Sequence, residues 1–434
     1  MEFIKITSDA QCESLKAAFA SRGQSGGDEA RRSEVLDNTQ AIVNDVRERG
    51  DAAVAEYTER FDGVSLKPSE FEIGPDEIQA AFDELSPELR KALEEAHQNI
   101  RAFHEVQVHR SWEHMDDDGT ILGQRVTPIE SAGVYVPGGK AFYPSSVLMN
   151  IVPAKAAGVS EIIMVSPPSY NGTIHPLVLA AASLAGADRV FRVGGAHAVA
   201  ALAYGTDSIP AVRKITGPGN IFVTVAKRLI SDVADIDKEA GPSEVAVVAD
   251  GSASPRLAAA ELMAQAEHDE EAVSVLFAAD EGFIQEVLDA IETELQTLSK
   301  ADIIRTALST QGKACLVRSL DEAAELVNEF APEHLSVQVK DSWGFVEQIR
   351  NAGCIAVGAG TSVAVGDYFA GSNHILPTGG RARFSSALSA DDFYKKSSII
   401  SYSPTRLREA APHIRALANA EELTAHARAI EVRQ

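Results

Sequence analysis

Three cysteines in 434 residues, Cys12, Cys315 and Cys354, are too few and too scattered for a disulfide framework or a paired-cysteine metal site. Cys315 and Cys354 sit in apolar, strand-like runs, which reads as buried reduced thiols. Basic residues are also short. The 39 Lys and Arg against 63 Asp and Glu leave a formal charge of −24, which argues against nucleic acid or an anionic membrane as the main partner. No apolar run reaches spanning length, and Met1-Glu2-Phe3-Ile4-Lys5 has no apolar leader core, so a cytoplasmic location is expected. No GxGxxG occurs, so the standard dinucleotide fingerprint is missing.

What remains is an ordinary globular composition, 45% hydrophobic and 24% charged, at a length that suits two or more domains. Residues 1–27 read as an arm that ends in the polar, glycine-containing run Ser21 to Asp28. Residues 30–60 and 75–107 carry helical spacing of apolar residues, with Val35, Ile42, Val46, Val54 and Tyr57 in the first stretch and Ile78, Phe82, Leu89 and Ile100 in the second. Both look like packing scaffold. The histidines His97, His104, His109 and His114 carry no ligand pattern.

From Arg125 the texture alternates. Strands are expected at Ile129–Val136, Glu161–Val165 and Arg189–Val193, with helices between them and glycine turns after them. A second alternating unit follows, with strands at Glu244–Ala249, Val273–Ala278, Lys313–Val317, Leu335–Val339 and Cys354–Val357. Strands separated by helices imply parallel sheets with crossovers. The two units share texture and no residue-level repeat. From about Ser389 the chain is charged, helical in pattern and too small for a core of its own, so it is expected to dock on something.

Ligands of parallel α/β sheets bind at glycine-rich turns beyond strand ends. Pro137-Gly138-Gly139, Gly194-Gly195, Gly217-Pro218-Gly219-Asn220 and Gly358-Ala359-Gly360 are candidates, although each is also compatible with plain structural punctuation. Gln265 and His268 are three apart, one helical turn, and offer an amide oxygen and an imidazole to a metal. Alone they are uninformative, and a solvated or capping pair near a helix end is the plainer reading. Pro332 ends a helix and puts Glu333 and His334 on a turn before a strand, where a carboxylate beside an imidazole can serve as general base. In isolation an exposed polar turn is the plainer reading. The loop Gly366-Asp367-Tyr368 to Gly371-Ser372-Asn373-His374 can supply an oxygen ligand and an imidazole. Glu421 and His426 lie in the tail, where spacing alone favours a solvated helix face.

Taken together and in order, these motifs resemble the histidinol dehydrogenase family. The resemblance is carried by GVYVPGGKAFYPSSVLM (133–149), 194–205, 217–220, EAGPSEVAVVAD (239–250), 265–268, NEFAPEHL (328–335), GDYFAGSNHILPT (366–378) and LTAH (423–426). It implies two incomplete Rossmann-like parallel-sheet domains with an N-terminal arm (1–27) and a small C-terminal helical tail (389–434) that crosses to a partner. The first domain would be discontinuous, 28–135 with 243–388, and 136–242 would form the second, on the NAD side. It also implies a homodimer with one zinc per subunit that oxidises L-histidinol to L-histidine through a bound aldehyde, using two NAD+. Gln265, His268, Asp367 and His426 would hold the zinc, with His426 from the other chain, and the zinc would position substrate nitrogens rather than activate water. Glu333 and His334 match the catalytic pair. Ser243, His374 and Glu421 match substrate-contacting positions, which Gln265, His268, His334, Asp367 and His426 share, and Tyr135 and Asn220 match NAD contacts.

One position departs. Relatives usually carry Gln where this chain has His197, a cofactor-contacting place. NAD binding is expected to survive with altered affinity, because histidine can donate one hydrogen bond and accept another. The alternatives are a same-family zinc and NAD dehydrogenase of another small alcohol such as a sulfonated diol, a metal-dependent lyase or aldolase, and a non-catalytic binding protein. The intact Glu333–His334 pair counts against the last.

Overall fold

Two six-stranded sheets with the same internal order organise the chain. The computed structural model describes residues 1–22, 29–138, 142–239 and 241–434, with residues 29–31 as backbone only. The strands are β1 (Glu2–Lys5), β2 (Glu72–Ile73), β3 (Trp112–Met115), β4 (Ile121–Pro128), β5 (Ser131–Tyr135), β6 (Glu161–Val165), β7 (Arg189–Phe191), β8 (Lys214–Thr216), β9 (Asp235–Ile236), β10 (Glu244–Ala249), β11 (Val273–Ala278), β12 (Lys313–Leu316), β13 (His334–Gln338), β14 (Cys354–Val357) and β15 (Tyr394–Ser401). One sheet runs β2-β7-β6-β5-β8-β9 and the other β1-β12-β11-β10-β13-β14. Counted within each unit, both read 3-2-1-4-5 with one extra strand beside strand 3. That is the dinucleotide-fold order short of its sixth strand. Every pairing in the β10 sheet is parallel, and β2 against β7 is the one antiparallel pairing in the β5 sheet.

Both faces of these sheets are buried, so their strands are continuous apolar runs rather than alternating ones. In β10, Val245, Val247 and Ala249 pack with Ala258 and Leu262 on one face. Ala246 and Val248 pack with Phe19, Phe277 and Phe330 on the other. Each fully buried valine here contributes roughly 1.5–3 kcal/mol. Pro255, Pro144 and Pro176 each open a crossover helix at its first turn, where no amide hydrogen is needed.

The sheets divide the chain differently from the expected domains. The helices Glu29–Arg49 and Asp51–Asp62 pack with Gly195–Tyr204 and the β5 sheet, and Pro87–Glu105 packs with Pro144–Ala157. Residues 29–135 therefore belong with 136–242, and the expected boundary after 135 falls inside a strand-turn-helix unit. The arm is also part of a sheet. β1 lies parallel to β12, and the helix Asp9–Ala20 packs on Leu320–Phe330. A four-residue, mostly exposed edge strand gives no periodic signal. The run 23–28 and Gly139 of the expected glycine turn lie outside the described residues.

A third sheet, β15-β4-β3, is antiparallel and was not expected. β15 pairs with β4 from Tyr394 opposite Pro128 to Ser401 opposite Ile121. So the tail begins as a strand clipped to β4, just before the β5 sheet. Its helices Pro404–Ala420 and Thr424–Glu431 pack mainly on each other.

Candidate active site

The carboxyl ends of the β5 sheet form one chamber, of about 490 Å³. Tyr135 ends β5, and its hydroxyl oxygen accepts the Gly195 N–H at 3.1 Å. Burial pushes this phenol up to about 12, so it stays neutral. Gly217, beyond β8, has φ +112, and a Cβ there would sit 2.0 Å from the Tyr135 carbonyl oxygen. Only glycine serves at that turn. Asn220 then caps the helix Ile221–Leu229, its Oδ1 accepting from the amides of Phe222 and Val223 at 3.0 and 3.1 Å. Tyr135, His197 and Asn220, the three expected cofactor contacts, line this one chamber.

His197 is buried against the stacked rings of Tyr57 and Phe61, whose centroids are 5.7 Å apart. Burial pulls its imidazole down to about 3, so it is neutral at physiological pH. Thr58 Oγ1 donates to the Val54 carbonyl, so at 3.3 Å it can only accept from His197 Nε2–H. Nδ1 is then a bare acceptor, and it is buried without a partner. This narrows the expectation: toward a ligand, His197 accepts and does not donate. Tyr57, Phe61 and Asp62 also line the chamber, and the sequence reading did not flag them for this role. Asp62 is raised to about 6 by burial, and its Oδ2 has no partner. The only available signal was an aromatic pair four apart followed by an acid.

A second chamber, of about 480 Å³, meets the first along Gly138 and Asn220. It gathers Ser243, Gln265, His268, Glu333, His334, Asp367 and His374. Ser243 and Glu333 immediately precede β10 and β13, and His334 begins β13, so they stand at the amino edge of their sheet. Glu333 Oε2 accepts the Glu244 N–H at 2.8 Å and the Gln265 amide at 3.4 Å. His334 Nε2 lies 3.1 Å from Asp367 Oδ1, and its Nδ1 lies 3.7 Å from Glu333 Oε2. Burial opposes a charge on His334, but the Asp367 and Glu333 carboxylates outweigh it and raise its proton affinity well above the ordinary value. Burial would likewise raise Asp367, and His334 holds it lowered. His374 Nδ1 donates to the Asp367 carbonyl at 2.9 Å, which leaves Nε2 to accept from Ser146 at 3.3 Å.

Gln265 and His268 sit at the end of the helix Pro255–Ala266 and just beyond it. Because the Gln265 amide nitrogen faces Glu333, its carbonyl oxygen is the end left for a cation. Asp367 keeps Oδ2 beyond its bond to His334. An amide oxygen, a carboxylate oxygen and the His268 imidazole are donors zinc accepts. Three donors leave a tetrahedral shell one short. Among the described residues no three His, Cys, Asp or Glu side chains close on a cation-sized position. Glu421 and His426 do not line the chamber; both are exposed on the tail.

The fold and the paired chambers define a class: a two-sheet α/β protein with a nucleotide-type chamber opening onto a carboxylate–imidazole chamber. Residues 27–434 match the histidinol dehydrogenase family, and the chain belongs to it. It is 50% identical over 393 residues to the histidinol dehydrogenase of Halalkalibacterium halodurans, covering 91% of this chain and 92% of that one. It is 49% identical over 411 residues to that of Pseudomonas putida, covering 94% and 92%. The crystal structure of histidinol dehydrogenase from Elizabethkingia anophelis superposes with a TM-score of 0.92 at 33% identity, covering 100% of this chain and 98% of that one.

Proposed function

We propose that this chain oxidises L-histidinol to L-histidine in two successive steps, as a zinc- and NAD-dependent cytoplasmic homodimer. The observation that carries the reading is the joining of two chambers along Gly138 and Asn220, in a chain of this family. One chamber suits a nicotinamide dinucleotide, the other a small polar alcohol. Zinc, held by Gln265, His268, Asp367 and the partner's His426, would supply a template for the amino and imidazole nitrogens of the substrate. NAD+ would supply the hydride acceptor, twice.

The chain's own residues do the proton work. His334 accepts the alcohol proton as hydride leaves the carbon, and Asp367, 3.1 Å from its Nε2, holds the ring in place. Glu333, at the mouth of β13, holds a water against the aldehyde and takes its proton, which gives a hydrate for the second hydride transfer. His334 assists that transfer. Ser243 and His374 orient the substrate, and the tail of the second subunit brings Glu421. In the cofactor chamber, Tyr135, His197 and Asn220 contact the dinucleotide. Among the described residues no helix is long and apolar enough to cross a membrane.

The test is the amount of NADH formed per L-histidinol by the purified zinc-loaded protein in excess NAD+. Two equivalents, lost on chelation, support the reading. No NADH would overturn it.

A further inference from the structure

The cleft with the largest volume among those described belongs to neither chamber. It measures about 560 Å³ and is lined by Arg22, Arg32, Arg228, Arg381 and Arg383. In a chain of net charge −24, five guanidinium groups around one cavity invert the local field. Arg22 follows the helix Asp9–Ala20 of the β10 half, Arg32 and Arg228 lie on helices of the β5 half, and Arg381 and Arg383 lie on the segment before Leu388 that packs into the β5 half, so the cleft lies on the seam between them. Among the described residues Glu239 also lines the cleft, and Glu244 and Glu329 meet arginines at its edge. Arg381 is held by Glu239, at 2.6 Å to Oε2 and 3.0 Å to the carbonyl. Arg383 meets Glu329 Oε2 only at 3.8 Å, although it donates to the Glu329 carbonyl. Arg228 makes no ion pair among the described residues. Arg22 reaches Glu244 at 3.1 Å and the Phe330 carbonyl at 2.7 Å and lies over the Phe330 ring, but its Nε and Nη1 are buried with no hydrogen-bond partner among the described residues. A buried guanidinium with idle donors beside a second like charge is an incomplete arrangement.

We propose that this cleft binds a small phosphate-bearing anion and that its occupancy reports to the catalytic carboxylate through Arg22 and Glu244. The five arginines of the lining suit phosphoryl oxygens, which match the planar fork of each guanidinium. The connection to the chemistry is short. Arg22 binds the Glu244 carboxylate, and the Glu244 N–H binds Glu333 Oε2 at 2.8 Å. Glu244 Oε1 also accepts the Gly379 N–H at 3.0 Å, which ties the same carboxylate to the end of the loop that bears Asp367 and His374. An anion that competes for Arg22 loosens this knot without touching either chamber. The kinetic part rests on the dehydrogenase reading above; the binding part does not.

The test uses inorganic phosphate and pyrophosphate on the full-length zinc-loaded protein, with chloride holding ionic strength constant. Calorimetry should show saturable binding, weakened about tenfold in Arg228→Gln, and that variant should keep its anion-free activity. Steady-state NADH formation should show kcat falling at least about twofold on saturation, with KM for both substrates unchanged and the response lost in Arg228→Gln. No saturable binding, or equal binding by wild type and Arg228→Gln, overturns the site. Inhibition competitive with NAD+ also overturns it, since the anion would then occupy the cofactor chamber. If histidinol is not oxidised at all, the dehydrogenase reading fails, while calorimetry still decides the cleft.

Discussion

The two sheets share one strand order and use opposite ends. The β5 sheet follows the rule for open α/β sheets: its chamber lies beyond the carboxyl ends of the strands, where the order reverses between β5 and β8. The β10 sheet has the same reversal between β10 and β13, but neither chamber opens there. Asp250 fills that crevice, accepting from the Lys340 amide at 2.9 Å and from both donors of Ser252. The proposed catalytic pair stands instead at the amino edge, where strands begin with unspent N–H groups. The Glu244 N–H on Glu333 is one of them. Connectivity thus fixes where a crevice forms, and side chains decide whether it is used. A carboxylate gains from strand amino ends for the same reason that a phosphate gains from a helix start.

The comparison can be broken most severely at Glu333. Glu333→Gln should slow the aldehyde step by 10²–10⁴-fold, the range for losing a general base, and spare the first hydride transfer. NADH per histidinol would fall from two toward one. Equal loss of both steps would mean that the amino edge is not where water is activated. Next is the turn that shapes the other chamber. Gly217→Ala drives a Cβ into the Tyr135 carbonyl, and it should lower stability by more than about 3 kcal/mol, read as a drop in urea midpoint. An unchanged midpoint would show that the turn can relax.

His197 gives a smaller, pH-dependent effect. The folded protein holds this imidazole down to about 3, whereas the unfolded chain takes up a proton near the ordinary value of about 6.5. Stability is therefore full above that ordinary value and is lost as pH falls from there toward 3. At pH 4.5 the loss is about 2–3 kcal/mol. His197→Gln should remove it, so its melting temperature should fall less than that of the wild type between pH 7 and 4.5. The smallest effect belongs to the idle crevice. Asp250→Ala should cost about 1–2 kcal/mol through its lost hydrogen bonds and leave kcat unchanged. A large fall in kcat would mean that the carboxyl end of the β10 sheet contributes after all.

The sheets were legible where burial on both faces leaves an uninterrupted apolar run. β6, β10, β11 and β14 begin and end where the residues suggested. β3, β4 and β15 were not, because an exposed antiparallel sheet mixes polar and apolar residues, and β15 finds its partner more than 260 residues back. The active-site motifs were legible as a family pattern before they were legible as chemistry. No spacing rule joins Gln265 to Asp367, and only the fold puts them in one chamber. Asp62 escaped because it follows a stretch that reads as packing scaffold, Arg22 because it lies in a polar run that reads as a loop, and Glu244 because it opens an apolar strand; sequence spacing does not report the burial that marks all three.

The tail offers one more consequence. Its two helices rest mainly on each other, with Glu421 and His426 exposed, while the chamber they would complete lies elsewhere in the chain. If the tail serves a neighbouring subunit, the unit of inheritance and the unit of activity differ. A Glu333→Gln chain keeps a sound tail, and a His426→Ala chain keeps a sound body. Each alone would be dead in the cell, yet two such alleles expressed together would assemble mixed dimers with one working site and restore growth without histidine.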